Sequence, residues 1–185
     1  MTRRPTAPGR RLGAAAAVLT VAGTLGLVAP GTAQASPDRP FQIAGANRSG
    51  PGPTEQCLDV TGRRTDDGAP VEQWPCNGGD NQKWYWTDAH ELVGVGSGKC
   101  LDIPFSSTTE GVQAIIWPCN GGDNQKWTNT LVHHVEMYTL TNVNSGLLLD
   151  IRGADLTPGA PAIQWPPNGG FNQRWFYTPW QNGRN

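Results

Sequence analysis

Nowhere in this sequence do apolar residues recur at helical spacing over three turns, and it has one long apolar run, close to its start. The first absence excludes a helical bundle, and the second leaves no further segment able to span a membrane. Basic stripes are missing too. Past residue 35 the chain carries ten Lys and Arg against fifteen Asp and Glu, a formal charge of −5. That balance argues against nucleic acid and anionic membrane as partners. The three histidines, His90, His133 and His134, show neither triad nor metal spacing, and no nucleophile-elbow glycine-serine motif occurs. Cysteine is limited to four residues with no close pair and no nearby His, a poor tetrahedral zinc site. No metal, no cofactor and no catalytic residue is expected.

What is present begins with an export address. Arg3, Arg4, Arg10 and Arg11 precede an apolar run from Leu12 to Ala29, and Ala33-Gln34-Ala35 forms a small-residue cleavage site. Residues 1 to 35 therefore read as a cleaved signal peptide, and Ser36 to Asn185 as one secreted domain. The paired arginines leave a twin-arginine route open. The general secretory route is preferred, because that other route would require disulfides to form in a reducing cytosol.

The mature part is dense in glycine and proline, with short runs of Val, Ile, Trp and Tyr, which reads as all-β. Its main feature is a three-fold internal repeat, at approximately 41–87, 88–130 and 131–180. The first copy holds Cys57-Leu58-Asp59-Val60 and later Trp74-Pro75-Cys76-Asn77-Gly78-Gly79-Asp80-Asn81-Gln82-Lys83-Trp84. The second holds Cys100-Leu101-Asp102-Ile103 and Trp117-Pro118-Cys119 through Asn124-Gln125-Lys126-Trp127. The third holds Leu148-Leu149-Asp150-Ile151 and Trp165-Pro166-Pro167 through Asn172-Gln173-Arg174-Trp175. In every copy the Asp lies 15 positions before the first Trp and 25 before the second. The copies start 43 and 48 residues apart, so the extra residues fall around Thr128 to Ser145, where a loop tolerates length.

Cys57/Cys76 and Cys100/Cys119 share one separation of 19 residues, so two intra-repeat disulfides are expected. Leu148 and Pro167 stand at the equivalent positions of the third copy, where both partners are missing together. The Asn-Gly-Gly segments read as tight hairpin turns, each ending one strand and starting the next. A unit of about 43 residues hides little apolar surface alone, so three must pack around an axis. Propellers, whose blades have similar length, need four or more.

These motifs, three times in register, resemble the ricin B-type lectin (Gln-x-Trp) modules that also serve as carbohydrate-binding modules of secreted bacterial glycosidases. The resemblance spans about residues 41 to 180. It implies a β-trefoil, a six-stranded barrel capped by three hairpins, with up to one shallow sugar pocket per copy and glycans as partners, either galactose-type or plant and microbial polysaccharide. It further implies pocket triads of Asp59, Trp74 and Asn81, of Asp102, Trp117 and Asn124, and of Asp150, Trp165 and Asn172. Trp84, Trp127 and Trp175 would pack the core, and Gln82, Gln125 and Gln173 would satisfy buried backbone groups. A monomer that binds without catalysis is expected.

The triads also make chemical sense unaided. A carboxylate accepts charge-assisted bonds from two adjacent sugar hydroxyls, an amide both donates and accepts, and an indole face covers pyranose C–H groups. Other readings stay open on sequence alone. An Asp at a strand start can instead accept turn amides. Asp59 with Asp80 and Asp102 with Asp123 could form glycosidase carboxylate pairs, although Phe171 replaces that second Asp in the third copy. A trefoil can also be a protein-interaction scaffold or inhibitor. The first copy also has Glu72 where the others have Ile115 and Ile163.

Overall fold

Strands form where the short aromatic and branched runs lie. The computed structural model describes residues 1–2, 40–47, 55–132 and 136–179. The chain divides into two compact units, Met1–Thr32 and Ala33–Asn185. Apart from Met1 and Thr2 the expected signal peptide lies outside the described residues, and every strand among the described residues belongs to the second unit.

Each copy contributes four strands. The first supplies β1 (Phe41–Gly45), β2 (Gln56–Val60), β3 (Val71–Pro75) and β4 (Lys83–Trp86). The second supplies β5 (Leu92–Gly94), β6 (Cys100–Asp102), β7 (Ile115–Trp117) and β8 (Trp127–Val132). The third supplies β9 (Met137–Asn142), β10 (Leu148–Ile151), β11 (Ala162–Trp165) and β12 (Trp175–Pro179). The described residues contain no α-helix, only one-turn 3₁₀ segments between strands.

The outer strands of the copies pair in a ring. β1 pairs with β4 and β12, β4 with β5, β8 with β9, and β9 with β12. A bridge between Glu91 and Lys126 joins the starts of β5 and β8 and closes six strands into a barrel. The inner strands form three antiparallel hairpins, β2–β3, β6–β7 and β10–β11. They meet each other cyclically through Pro70↔Ile115, Gln113↔Ile163 and Glu72↔Pro161. A six-stranded barrel capped by a triangle of hairpins is a β-trefoil.

The core repeats with the sequence. Leu58, Leu101 and Leu149, then Val60, Ile103 and Ile151, then Trp84, Trp127 and Trp175 are buried in equivalent positions. Each of these indoles donates Nε1–H to the carbonyl of the equivalent Leu, at 3.1, 3.0 and 3.3 Å. Its one polar atom is thereby satisfied, which lets the largest side chain sit at the centre without a desolvation penalty. Disulfides Cys57–Cys76 and Cys100–Cys119 tie the start of the first two cap hairpins to the segments that leave them, as expected from the cysteine spacing.

Two local expectations are corrected. The Asn-Gly-Gly segments are not hairpin turns, because β3 pairs with β2 while β4 pairs with β1 and β5. The chain must leave the cap for the barrel there, so it makes a corner. Gly78, Gly121 and Gly169, with φ of 73°, 76° and 73°, supply its left-handed residue. The extra residues after Trp127 are not a loose loop either. They lengthen β8 and β9 into a hairpin with six paired positions, Trp127↔Asn142 to Val132↔Met137, which carries β8 beyond the repeat boundary expected at 130. Thr128, Thr130, Thr139 and Thr141 favour that extended form.

Burial and exposure of the two Trp sets predict opposite stabilities. Trp127→Ala should cost about 3–5 kcal/mol of unfolding free energy, whereas Trp117→Ala, at a side chain 42% exposed, should cost under about 1 kcal/mol. Removing one bridge with Cys57→Ser and Cys76→Ser together should cost about 3 kcal/mol. Urea unfolding followed by near-UV circular dichroism measures all three.

Candidate functional site

The last residue of the Cys-Leu-Asp run sits on an inner strand, beside its hairpin partner. In the first copy Asp59 lies directly across from Glu72, and Trp74 near the end of β3 lies opposite Cys57. The disulfide and the hairpin register therefore hold acid and indole on one rim. Each copy repeats the Asp and Trp placement, with the disulfide in the first two.

The three acids are nearly buried, with Asp59, Asp102 and Asp150 only 2%, 3% and 2% exposed. Oδ2 of Asp59 accepts from Asn81 Nδ2 and Gln82 Nε2, both at 2.8 Å. Oδ2 of Asp102 accepts from Asn124 at 3.0 Å and Gln125 at 2.7 Å. Asp150 accepts from Asn172 at 2.7 Å and more distantly from Asn168 at 3.4 Å. Turn amides do not occupy these acids. Among the described residues no protein donor engages Oδ1, and Asp59 and Asp150 each line an open cleft.

Burial dominates their electrostatics. It pushes the Asp59 carboxyl up to about 6; the Gln82 and Asn81 amides pull it back, while the Glu72 carboxylate opposite adds to the rise. Asp102 and Asp150 are raised for the same primary reason and pulled back by the amides around them.

The two Trp sets separate completely. Trp84, Trp127 and Trp175 are at most 1% exposed, whereas Trp74, Trp117 and Trp165 are 42%, 42% and 36% exposed. Each exposed indole rests its ring edge on a glycine from another copy. A Cβ placed on Gly159, Gly68 or Gly111 would meet Cζ3 of Trp74, Trp117 or Trp165 at 3.9, 3.9 and 3.5 Å. All three glycines have positive φ, between 79° and 88°. Neighbouring copies thus complete one another's rims.

The asparagines do something other than the amide chemistry expected of them. Nδ2 of Asn81, Asn124 and Asn172 is spent on the carboxylate and on the carbonyls of Val60, Ile103 and Ile151. These residues therefore act as clamps on the acid, and Oδ1 of Asn81 is itself buried, close to Gly79. The glutamines are core residues that also reach the site. Gln82, fully buried, donates to Asp59 and the Pro75 carbonyl and accepts the Asn77 amide at 2.8 Å. Gln125 and Gln173 likewise accept the Asn120 and Asn168 amides.

The sequence presents Asn77, Asn120 and Asn168 as turn residues alone, yet Asn77 and Asn168 line the clefts. Their side-chain oxygens accept the amides of Gly79, Gly122 and Gly170 at 2.9, 2.9 and 2.7 Å. A Cβ on those glycines would fall 2.5, 2.6 and 2.2 Å from Oδ1 of the clamping Asn, so a larger residue there would displace the clamp. The signal was present, since the Asn-Gly-Gly trio stands at the same distance from the Asp in every copy.

The first and third clefts each enclose about 460 Å³. Gly62, Glu72 and Asn77 join the triad in one, and Gly153, Ile163 and Asn168 in the other. In the second copy Phe105 replaces that glycine; it is fully exposed and holds a left-handed φ of 58°. A smaller cleft of about 270 Å³, with Arg63, Asp80 and Ser97 in its lining, has no aromatic wall. Asp80 and Asp123 pair with Lys83 and Lys126 at 2.7 and 2.8 Å on the exposed corner. Asp80 lies outside the cleft that Asp59 lines. The third copy swaps this ion pair for Arg174 over the Phe171 ring, 4.9 Å from its centroid. His133 and His134 lie outside the described residues.

Comparisons with known proteins agree with this fold. The ricin-type β-trefoil lectin domain-like family matches in three overlapping stretches, residues 52–117, 80–165 and 130–185. A designed three-fold symmetric protein, ThreeFoil, is 34% identical with a TM-score of 0.69, over 75% of this chain and 97% of that one. An exo-β-1,3-galactanase of Clostridium thermocellum, 1,3Gal43A, is 30% identical with a TM-score of 0.70; the match covers 76% of this chain but 30% of that enzyme. A Macrolepiota procera ricin B-like lectin solved with lactose shares the fold at 21% identity and a TM-score of 0.64, over 78% and 98% of the two chains. A probable lipoprotein of Salmonella typhimurium, EnvE, is 42% identical over 45 residues, which is 24% of this chain and 25% of that protein. Repeat, trefoil and clamped acids together place this chain in the ricin-type β-trefoil lectin family.

Proposed function

We propose that the protein is a secreted, non-catalytic lectin that binds glycans through up to three pockets, one per copy. The observation that carries this reading is the recurrence of an exposed indole beside a carboxylate that the described residues hold by one oxygen only. The fixed oxygen sets the direction of the free one, so a pair of sugar hydroxyls meets an acceptor that costs no further ordering. The indole covers the apolar face of the same ring. Asp59, Asp102 and Asp150 would contact the sugar, Trp74, Trp117 and Trp165 would stack on it, and Asn81, Asn124 and Asn172 would position the acid.

Galactose-type sugars are the first candidates, since similar trefoils were solved with lactose and with GalNAc. A plant or microbial polysaccharide is the second, given the likeness to part of a galactanase. One shallow pocket reaches only about millimolar affinity, near −4 kcal/mol. Several on one rigid body raise retention on a polymer by about 10² or more. Two disulfides support an oxidising compartment, and likeness to a segment of a bacterial lipoprotein supports an address beyond the cytoplasm. Asp80 and Asp123 pair with lysines on the exposed corner, which counts against the carboxylate pairs a glycosidase reading would use.

A glycan array followed by affinity electrophoresis tests the assignment. Retention on at least one glycan is expected, with no sugar released, and a folded protein retained on none overturns it. Asp→Ala at 59, 102 or 150 should each weaken binding about tenfold or more at its own pocket, because the truncation removes a charge-assisted acceptor. Gly122→Ala should do the same at the second pocket by displacing Asn124. Acid should act on the first pocket in two opposed ways. The Asp59 carboxyl is raised from 3.8 to about 6, so its contribution to folding stability is full below 3.8 and is lost as pH rises through about 6. Sugar binding needs the carboxylate, so affinity at Trp74 should fall as pH drops through about 6 while that contribution to stability grows. Fluorescence titration and urea unfolding over this range would expose either sign being wrong.

A further inference from the structure

The first cleft contains a charge that the fold does not use. Glu72 faces Asp59 in the β2–β3 register, and like charges directly opposite each other destabilise a strand pair. Among the described residues no hydrogen bond or ion pair compensates it. The equivalent positions carry Ile115 and Ile163, so the fold itself asks only for an apolar side chain there. A local rule broken without an internal gain marks a place kept for a ligand.

The surroundings say which ligand. Glu72 lines the same 460 Å³ cleft as Asp59 and Trp74. A single point, the Cβ position on Gly159, lies 4.0 Å from Glu72 Oε2 and 3.9 Å from Trp74 Cζ3. The carboxylate and the exposed indole therefore both reach the Gly159 side of a cleft that Asp59 also lines. Two carboxylates and an indole are what a desolvated ammonium group needs, through charge-assisted hydrogen bonds and attraction to the ring face. Arg63 also lines this cleft and opposes a cation. Its Nη2 lies 3.5 Å from the Cβ position on Gly79, over the corner, and among the described residues it makes no ion pair with either acid.

We propose that the first pocket selects sugars bearing a free, positively charged amino group, with Glu72 as the residue that sets this preference. This rests on the sugar-binding reading above. The second and third copies, with Ile115 and Ile163 at the equivalent position, would offer an ammonium one carboxylate fewer beside an apolar side chain and therefore prefer neutral sugars.

The three exposed indoles give a separate signal for each pocket. The folded, ¹⁵N-labelled protein is titrated at about pH 7 and constant ionic strength with D-galactosamine and D-glucosamine, their N-acetyl forms and the parent neutral sugars. The indole N–H resonances of Trp74, Trp117 and Trp165 are followed, while those of Trp84, Trp127 and Trp175 report the fold. Trp74 should respond to an amino sugar at a roughly tenfold lower concentration than to its N-acetyl form, and Trp117 and Trp165 should not. Glu72→Ile, which copies the sister pockets, should abolish the preference at Trp74 and leave the other two titrations unchanged. Arg63→Ala should sharpen it, since Ser106 and Ala154 already occupy that position with φ of 48° and 52°. Equal responses of Trp74 to amino and N-acetyl sugars, or a preference that survives Glu72→Ile, overturn the proposal and leave the lectin reading intact. Silence of all three indoles toward every sugar overturns both.

Discussion

Each copy of this protein is held together by the amide of one buried glutamine. In the first, Gln82 bonds the carboxylate of Asp59, the carbonyl of Pro75 and the amide of Asn77, joining the inner strand to the corner that leaves the hairpin. Two residues later Trp84 fills the barrel and donates to the carbonyl of Leu58, the residue before that same Asp. The Gln-x-Trp motif thus anchors one dipeptide, Leu58-Asp59, from both sides. Its hydrophobic half makes the core and its polar half fixes the acid, so stability and site geometry come from a single three-residue device. The acid is nearly buried because the device requires it, and its raised proton affinity follows from that burial.

Three-fold closure explains why the copies depend on one another. The cap hairpins bridge cyclically, and every exposed indole leans on a glycine of a neighbouring copy. A rim is therefore never the property of one repeat. Gln73 and Gln164 extend this, each donating to two loop carbonyls of a neighbouring copy. Within that shared frame the copies have diverged where side chains face outward. Phe105 replaces a glycine, Glu72 an isoleucine, and an Arg174–Phe171 contact replaces an Asp–Lys pair. The frame tolerates such changes because none of them touches the glutamine clamp.

Much of this is legible in the sequence, for a physical reason. Residues that repeat in register with fixed spacing must occupy equivalent places, so three packed units and both disulfides follow from counting positions, while the β-trefoil and the split between two kinds of Trp follow from the family resemblance of the same motifs. What counting does not show is hydrogen-bond direction. Asn81 is expected to face a sugar with both halves of its amide, but a donor is spent on whichever acceptor lies nearest, and Asp59 and the Val60 carbonyl lie nearest. The Asn-Gly-Gly corner reads as a hairpin turn because a left-handed glycine serves either purpose. Strand pairing, which is non-local, decides between them.

The chain by itself determined that there are three equivalent units, which residues in each are large and apolar, and where acid, indole and amide recur. Such features depend on spacing along one polymer. Only the tertiary structure decided that each acid has one oxygen clamped and no donor on the other among the described residues, that Gly159, Gly68 and Gly111 support indoles belonging to other copies, and that Glu72 stands beside Trp74 with no ion-pair partner among the described residues. The clamps and the indole supports join residues tens of positions apart, and for the indole supports it is the closing of the ring of hairpins that brings them within a few ångströms.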